Sequence, residues 1–555
     1  MNSYILGLHI GHDRGAALIN NGKIVSAISE ERLDRVKHSP ADLLPELAIE
    51  YVLNESKISK QEITHIGITF GGNIIYEDVV EGWIRSISAE FDLTEDNIYF
   101  VGHHIAHAYS AYYTSPFSSC AIVVADGCGD VDENGNAEAE SYYTAKNGKI
   151  SLVSSRTQQM PTKYGSPYTG FRYDYMPEME KDNPISIGRK YEQITKLIGF
   201  AFGQAGKTMG LAPYGDKMIK FDTATKGIHH SLSRKDYLEE IHQLYIDSGV
   251  PYKNFINTNK SSIAYDIQST IEDLILSCIS ELASNVDTGN LCLAGGVFLN
   301  CVANKFIADS NLFKNIYIFP AAGDDGQALG AAFYVYNFLG GVNTPHKFSP
   351  FLGRQYTHTD CQQAITKMGL EGTEYNNENE LVSILAEFLR AGKVLGILKG
   401  RSEMGPRALG NRSIIASPQN AKMRDHINKE IKCREDFRPF APMTTYDTVS
   451  KYFDLDFESP YMLYTCQVLE EYKNQLPAIT HVDGSARMQT VAEEDNPFVY
   501  KLLKQFGEYT DIPVLLNTSF NTAYEPIVES PEDALRTFVN SNLDVVVLEN
   551  IVVKK

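Results

Sequence analysis

His103 and His107 stand four residues apart in Gly102-His103-His104-Ile105-Ala106-His107, which opens a segment rich in Ala and aromatic residues up to Tyr113. On a helix that spacing puts both imidazoles on one face, within reach of a single ion. Two carboxylates on turns could complete the set. One is Asp126, after the apolar run Ala121–Ala125; the other is Asp324 or Asp325 in Ala321-Ala322-Gly323-Asp324-Asp325-Gly326. Two imidazoles and two carboxylates make a mixed nitrogen–oxygen site, which suits Fe, Zn, Mn or Co better than Ca or Mg. Such an ion is a Lewis acid for a carbonyl oxygen.

A second kind of chemistry is concentrated later. From Lys399 to Arg438 there are ten Lys or Arg and five Asp or Glu, in a chain whose formal charge is -20. A basic island in an acidic protein points to a small anionic ligand such as phosphate groups. Arg401, Arg407 and Arg412 sit among glycines in poor helix material, and are expected on a rigid loop aiming guanidinium forks at phosphates. Lys432-Cys433-Arg434-Glu435-Asp436-Phe437-Arg438 follows, then Arg487 and the polar cluster Asn517-Thr518-Ser519-Phe520-Asn521 after an apolar run. In an open α/β sheet, ligands sit at the C-terminal ends of strands. Ala294-Gly295-Gly296, between a strand and a helix start, is a further place for phosphate oxygens. Gly206-Lys207-Thr208 matches a loose P-loop pattern. It is expected to be a decoy, because a helical stretch rather than a buried strand precedes it.

The elements that position these residues repeat. Residues 4–10 read as a buried strand, Gly11–Gly15 as a turn, and 16–19 and 23–28 as strands joined by the Asn20-Asn21-Gly22 hairpin. The same order returns with strand 121–125, turn Asp126–Asp130 and strands 138–144 and 150–154 around Lys146-Asn147-Gly148. That duplication is the pattern of nucleotide-binding folds of the actin and sugar-kinase kind. Apolar residues from Ile267 to Leu282 recur at helical spacing. A Gly/Pro stretch near 340–350 marks a boundary between two domains, 1–345 and 346–555, as expected for 555 residues.

Bulk properties narrow the function. The acidic balance argues against nucleic acid as partner. The apolar runs are too short for a membrane span, and no signal peptide is read at the N-terminus. Eight cysteines without a Cys-x-x-Cys fit reduced thiols in the cytoplasm.

Together the motifs resemble the NodU/CmcH family of O-carbamoyltransferases, almost end to end. The landmarks are Gly11-His12-Asp13, Glu30-Glu31-Arg32, Arg35-Val36-Lys37-His38, the His103–His107 run, Lys207-Thr208-Met209-Gly210-Leu211-Ala212-Pro213-Tyr214-Gly215 and Ala294-Gly295-Gly296. Glu403–Gly410, Arg438-Pro439-Phe440-Ala441-Pro442 and Asn517–Asn521 complete them. The resemblance implies an α/β chain with a TsaD-like N-terminal domain of the duplicated actin/sugar-kinase type and a YrdC-like C-terminal α/β domain. It implies that the C-terminal domain makes carbamoyladenylate from carbamoyl phosphate and ATP, with Mg accompanying the nucleotide. The N-terminal domain then transfers the carbamoyl group to a hydroxyl of a small-molecule acceptor, a natural product or sugar, with an Fe(II)-type metal. By motif, the metal ligands are His103, His107, Asp126 and Asp324, the last preferred over Asp325 because it matches the Asp of a related Asp-Asn-Gly turn. Lys432, Arg438, Arg487, Asn517 and Ser519 are implied to hold carbamoyl phosphate and nucleotide. Gly127, Gly129, Lys207, Gly210, Gly295, Gly296 and Asn300 are implied to hold carbamoyladenylate. His12 is implied as general base, oriented by Asp13, with Lys37 on adenylate or acceptor. The resemblance also points to a homodimer and a place in antibiotic biosynthesis. Tyr164, Tyr168, Phe171, Tyr173 and Tyr175 are expected to shape the acceptor pocket. A threonylcarbamoyl-type tRNA-modifying enzyme, a sugar-kinase-like ATPase and a nucleotide sensor are the competing readings.

Overall fold

A computed structural model of the chain describes residues 3–39, 43–71, 77–132, 134–159, 184–219, 226–232, 237–342 and 344–555. The chain groups into two compact units, Met1–Glu30 with Ser39–Phe348 and Glu31–His38 with Ser349–Lys555. Residues 31–38, read from the sequence as part of the first domain, therefore group with the second unit.

The first unit carries two five-stranded sheets of one design. In one, β1 (Tyr4–Ile10) pairs antiparallel with β2 (Gly15–Asn20), and β2 with β3 (Lys23–Ser29). On its other side β1 runs parallel to β4 (Ile63–Phe70), and β4 to β5 (Ile98–Phe100). In the other, β6 (Ser119–Ala125) stands where β1 does, flanked by β7 (Asn136–Lys146) and β8 (Lys149–Gln159) as the hairpin. Parallel strands β9 (Asn290–Ala294) and β10 (Asn315–Ile318) lie on its other side. The internal repeat is thus a true duplication, and the actin/sugar-kinase type of fold follows from it. Both hairpins turn through left-handed pairs, Asn21 and Gly22 at φ 48° and 78°, Asn147 and Gly148 at φ 50° and 83°. Those angles belong to the tight turn that an Asn-Gly pair favours.

One helix, Gln327–Phe338, ties the first sheet to the helix His103–Thr114 at backbone contact. A Cβ built on Gly7 of β1 would lie 1.8 Å from the Ala328 carbonyl oxygen, and one on Gly330 would lie 1.9 Å from the Ala106 carbonyl oxygen. Only hydrogen fits at either place. Gly330→Ala is therefore expected to force the two helices apart and cost about 1–3 kcal/mol, the usual scale of overpacking. Denaturant unfolding, with metal content measured alongside, checks this. A wild-type midpoint would refute the close approach.

The second unit is built on one nine-stranded mixed sheet. Its order is β11 (Thr373–Glu374), β19 (Ile551–Lys554), β18 (Val545–Leu548), β12 (Leu395–Leu398) and β13 (Arg412–Ala416), then β17 (Val514–Ser519), β14 (Ala441–Thr445), β16 (Ser485–Val491) and β15 (Tyr464–Gln467). Both faces are covered. Leu398, Ile414, Val514, Leu516 and Val546 pack on one side with helices His358–Lys367 and Pro531–Val539. Leu395, Ile397, Ile415, Leu515 and Val547 pack on the other with helices Glu378–Arg390 and Pro497–Thr510. Alternate residues of one strand thus enter opposite cores, which is why these strands read as unbroken apolar runs. The mixed α/β class expected for this half holds.

Residues Glu31–His38 make specific contacts inside this unit. Arg32 Nη2 donates to the Gly405 carbonyl at 3.0 Å. Arg35 donates to the Ile527 and Pro526 carbonyls at 2.7 and 2.8 Å.

Candidate functional site

Helix His103–Thr114 begins at the end of β5, so its first two turns carry His103 and His107 to the C-terminal edge of the sheets. Asp126 follows β6 and Asp324 follows β10, again at C-terminal strand ends. The four meet: His103 Nε2 lies 3.1 Å from Asp126 Oδ2 and 3.4 Å from Asp324 Oδ1. His107 Nε2 lies 3.3 Å from each of the same oxygens. These donors are close enough to share one metal ion. The neighbouring Asp325 is not part of the group, and His104 faces away, its Nδ1 2.8 Å from Ser141 Oγ. Burial holds His104 down to about 3, so it is neutral.

The groups behind the quartet fit a metal. His103 Nδ1 donates to the Phe70 carbonyl at 2.6 Å, which turns Nε2 toward the site. Asp126 Oδ1 accepts from Gly127 N at 2.7 Å and Gly296 N at 3.3 Å, so only Oδ2 turns inward. Such outer partners orient ligands and set their basicity. Burial alone would raise Asp126. The two hydrogen-bonded imidazoles outweigh it and hold the carboxyl well below its usual range. With neutral imidazoles, the four donors carry two negative charges in a buried place, which calls for a divalent cation.

His12, on the turn after β1, joins from the other side. Its Nε2 lies 3.2 Å from Asp324 Oδ2 and its Nδ1 3.0 Å from Asp13 Oδ2. Burial would lower this imidazole. Asp324 and then Asp13 overcome that and lift it to about 9. His9, on β1 itself, was not foreseen. It is fully buried, with Nε2 3.8 Å from Asp324 Oδ2, and burial holds it neutral at about 4. A histidine inside an apolar strand carries no spacing signal, so nothing in the sequence marks it.

The glycine turns converge on the same edge. Gly295 has φ 96°, and a Cβ there would stand 2.1 Å from the Ala125 carbonyl oxygen, so glycine is required. Gly129 N donates to the Glu138 carbonyl. Asn300 caps helix Cys301–Asp309 by accepting from Ala303 N and also pairs with Gln268. Gly206-Lys207-Thr208 and Gly210 lie on the short helix Ala205–Leu211, preceded by helix Ile187–Leu197 and no strand. The P-loop match is a decoy, as expected. The Lys207 ammonium lies over the Phe200 ring. Tyr164, Tyr168, Phe171, Tyr173 and Tyr175 lie outside the described residues.

In the second unit the cationic groups gather. Lys432 is buried and its Nζ donates to Ser519 (backbone O at 2.6 Å, Oγ at 3.1 Å) and to Asn521 (O at 2.9 Å, Oδ1 at 2.7 Å). Burial, then Arg434, Arg438 and Lys37, press its pKa well below the usual lysine value. Arg438 and Arg487 both stand near enough to Arg434 to disfavour its charge. Asn517 Nδ2 donates instead to Gln489 Oε1 and the Ala408 carbonyl. Arg434 was missed, although it lies in the same basic run as Lys432 and Arg438. Lys37 groups with this unit rather than with His12. The loop Arg401–Arg412 corrects one expectation: Arg401 donates to the Gly353 and Leu352 carbonyls. Arg412, fully buried, donates to the Glu529, Gly400 and Arg354 carbonyls. Those two forks hold backbone carbonyls.

Two family models cover most of the sequence, the carbamoyltransferase N-terminus at residues 4–91 and 88–333 and the carbamoyltransferase C-terminus at 386–555. The chain belongs to the carbamoyltransferase family. This carbamoyltransferase is 34% identical to uncharacterized protein sll1178 of Synechocystis sp., across 100% of this chain and 97% of that one. It is 31% identical to nodulation protein NolNO of Sinorhizobium fredii, across 98% and 79%. It is also 28% identical to 3'-hydroxymethylcephem-O-carbamoyltransferase of Amycolatopsis lactamdurans, across 95% of each. The carbamoyltransferase is thus a transferase of the NodU/CmcH type. Among its described residues, no helix is long and apolar enough to cross a membrane.

Proposed function

We propose that this carbamoyltransferase acts on a hydroxyl of a small molecule in two steps, driven by carbamoyl phosphate and ATP. The observation that carries the reading is the buried quartet of His103, His107, Asp126 and Asp324 with His12 against it. In the second unit, Lys432, Arg434, Arg438 and Arg487, with Ser519, hold carbamoyl phosphate and the nucleotide's phosphates, with Mg as companion to ATP, while Asn517 braces the strand end through Gln489 and the Ala408 carbonyl. Guanidinium forks match phosphate oxygens, and their mutual repulsion is relieved when an anion binds. Lys37 adds a positive charge there. Water cleaves carbamoyl phosphate to carbamate and phosphate, and a carbamate oxygen then attacks the α-phosphorus of ATP, so that pyrophosphate leaves and carbamoyladenylate is formed.

In the first unit, the turns carrying Gly127, Gly129, Gly295 and Gly296, with Lys207, Gly210 and Asn300, hold the adenylate, the glycines serving by letting it approach backbone that bears no side chain. A divalent ion of the Fe(II) kind, held by the quartet, would supply Lewis acidity to the carbamoyl carbonyl. His12 takes the proton of the attacking hydroxyl while Asp13 fixes its ring. The field of Asp324 keeps a proton on His12, and positive charge beside Asp324 weakens that field and favours the base form. Net, carbamoyl phosphate, ATP, the alcohol and one water give the carbamate ester, AMP, pyrophosphate and phosphate. A panel of sugar, aminoglycoside and polyketide alcohols, incubated with carbamoyl phosphate and ATP and read by mass, tests the reading. Carbamoyl addition with AMP and pyrophosphate release is expected. ADP as the nucleotide product would overturn it.

A further inference from the structure

We propose that Gln327 is a fifth protein donor to the metal centre, through its side-chain amide, with Thr69 as its anchor. The proposal rests on the metal-assisted reading above. Gln327 opens helix Gln327–Phe338 and is fully buried. Its amide nitrogen lies 2.8 Å from His103 Nε2, 3.0 Å from His107 Nε2 and 3.1 Å from Asp324 Oδ1. The imidazole–carboxylate contacts of the quartet span 3.1 to 3.4 Å. The amide is therefore as near to three of the donors as imidazole and carboxylate are to each other. Ligands about 2.1 Å from one ion, at right angles to one another, stand about 3 Å apart. Gln327 Nε2 is also 2.9 Å from His103 Nδ1, so the amide stands against the face of that ring and reaches the ion by a turn of its own side chain.

The anchor explains how an amide serves there. Thr69 Oγ1 and Gln327 Oε1 are 2.7 Å apart, with the hydroxyl donating. In that orientation the NH2 end faces the lone pairs of the donors. A hydroxyl can accept as well as donate, so turning the amide over keeps its bond to Thr69 and presents Oε1 to a cation. Amide oxygens are ordinary ligands for divalent ions. Thr69 lies on β4 and is itself fully buried, in register with His9 on β1, so the anchor is rigid. A glutamine that only filled space would need neither a hydroxyl partner at one end nor three metal-donor atoms at the other.

Co(II) titration of the full chain, with the visible bands of the bound ion as a second readout, tests this. Gln327→Leu, which keeps bulk and removes the donor, is expected to weaken Co(II) binding at least about 10-fold and shift the bands. Gln327→Glu, which keeps an oxygen, is expected to bind at least as tightly as wild type. If Gln327→Leu binds Co(II) with wild-type affinity and bands, the proposal is wrong. If the Leu variant does not fold, Gln327→Glu decides: altered bands support the assignment and unchanged bands overturn it. Wild-type protein that takes up no Co(II) would sink the metal-assisted reading instead.

Discussion

His107→Ala is expected to strip the chain of its bound divalent metal and lower carbamoyl transfer at least about 10²-fold, while ATP–pyrophosphate exchange with carbamoyl phosphate stays within about twofold. His107 Nε2 is 3.3 Å from one oxygen of Asp126 and from one of Asp324, so it joins both carboxylates at once. Without it, three donors of the quartet remain and two buried carboxylates lose a partner. In the proposed division of steps the exchange reaction belongs to the other unit, whose groups lie outside the quartet. Metal analysis, exchange and product mass on one preparation separate the outcomes. Retained metal would show that the quartet is not the site. Equal loss of exchange and transfer would deny the division of labour between the units.

The reciprocal experiment is Lys432→Met. It is expected to lower AMP and pyrophosphate formation by about 10²- to 10³-fold, the scale on which removal of one charge-stabilising donor is felt. Metal content should be unchanged, since no ligand is touched. The substitution also leaves acceptors of Ser519 and Asn521 without their shared ammonium. A stability loss of about 1–3 kcal/mol is expected from that. Methionine is chosen because it keeps most of the volume. Pyrophosphate release measured well below the melting transition separates chemistry from folding. A variant that still forms AMP at the wild-type rate would assign Lys432 to holding the Asn517–Asn521 strand end alone.

How much of this was legible follows from what each signal depends on. The hairpins were readable because Asn21-Gly22 and Asn147-Gly148 demand left-handed angles that few other pairs supply, and the backbone has them. His103 and His107 were readable because helical spacing fixes a shared face before any tertiary contact forms. Gln327 and His9 were not. Each becomes part of the centre only when helix Gln327–Phe338 settles onto β1 and onto helix His103–Thr114, approaches set by Gly7 and Gly330 respectively. The arginine-rich loop misled for another reason. A guanidinium bonds a phosphate oxygen and a peptide carbonyl in the same way, and sequence does not say which one Arg401 and Arg412 will meet. The long helix Tyr252–Asn285 begins fifteen residues before Ile267, where the apolar stripe starts. The second unit's strands were found as apolar runs, but their order in a nine-stranded sheet depends on pairings far apart in the chain.

The eight residues Glu31–His38 make this enzyme hard to divide. A fragment beginning at Ser349 would retain most of the second unit yet leave the carbonyls of Gly405, Pro526 and Ile527 without the guanidinium groups that satisfy them. Splitting the gene at the obvious seam would thus separate a core from one of its own staples, and a short peptide carrying Arg32 and Arg35 would have to be returned to mend it.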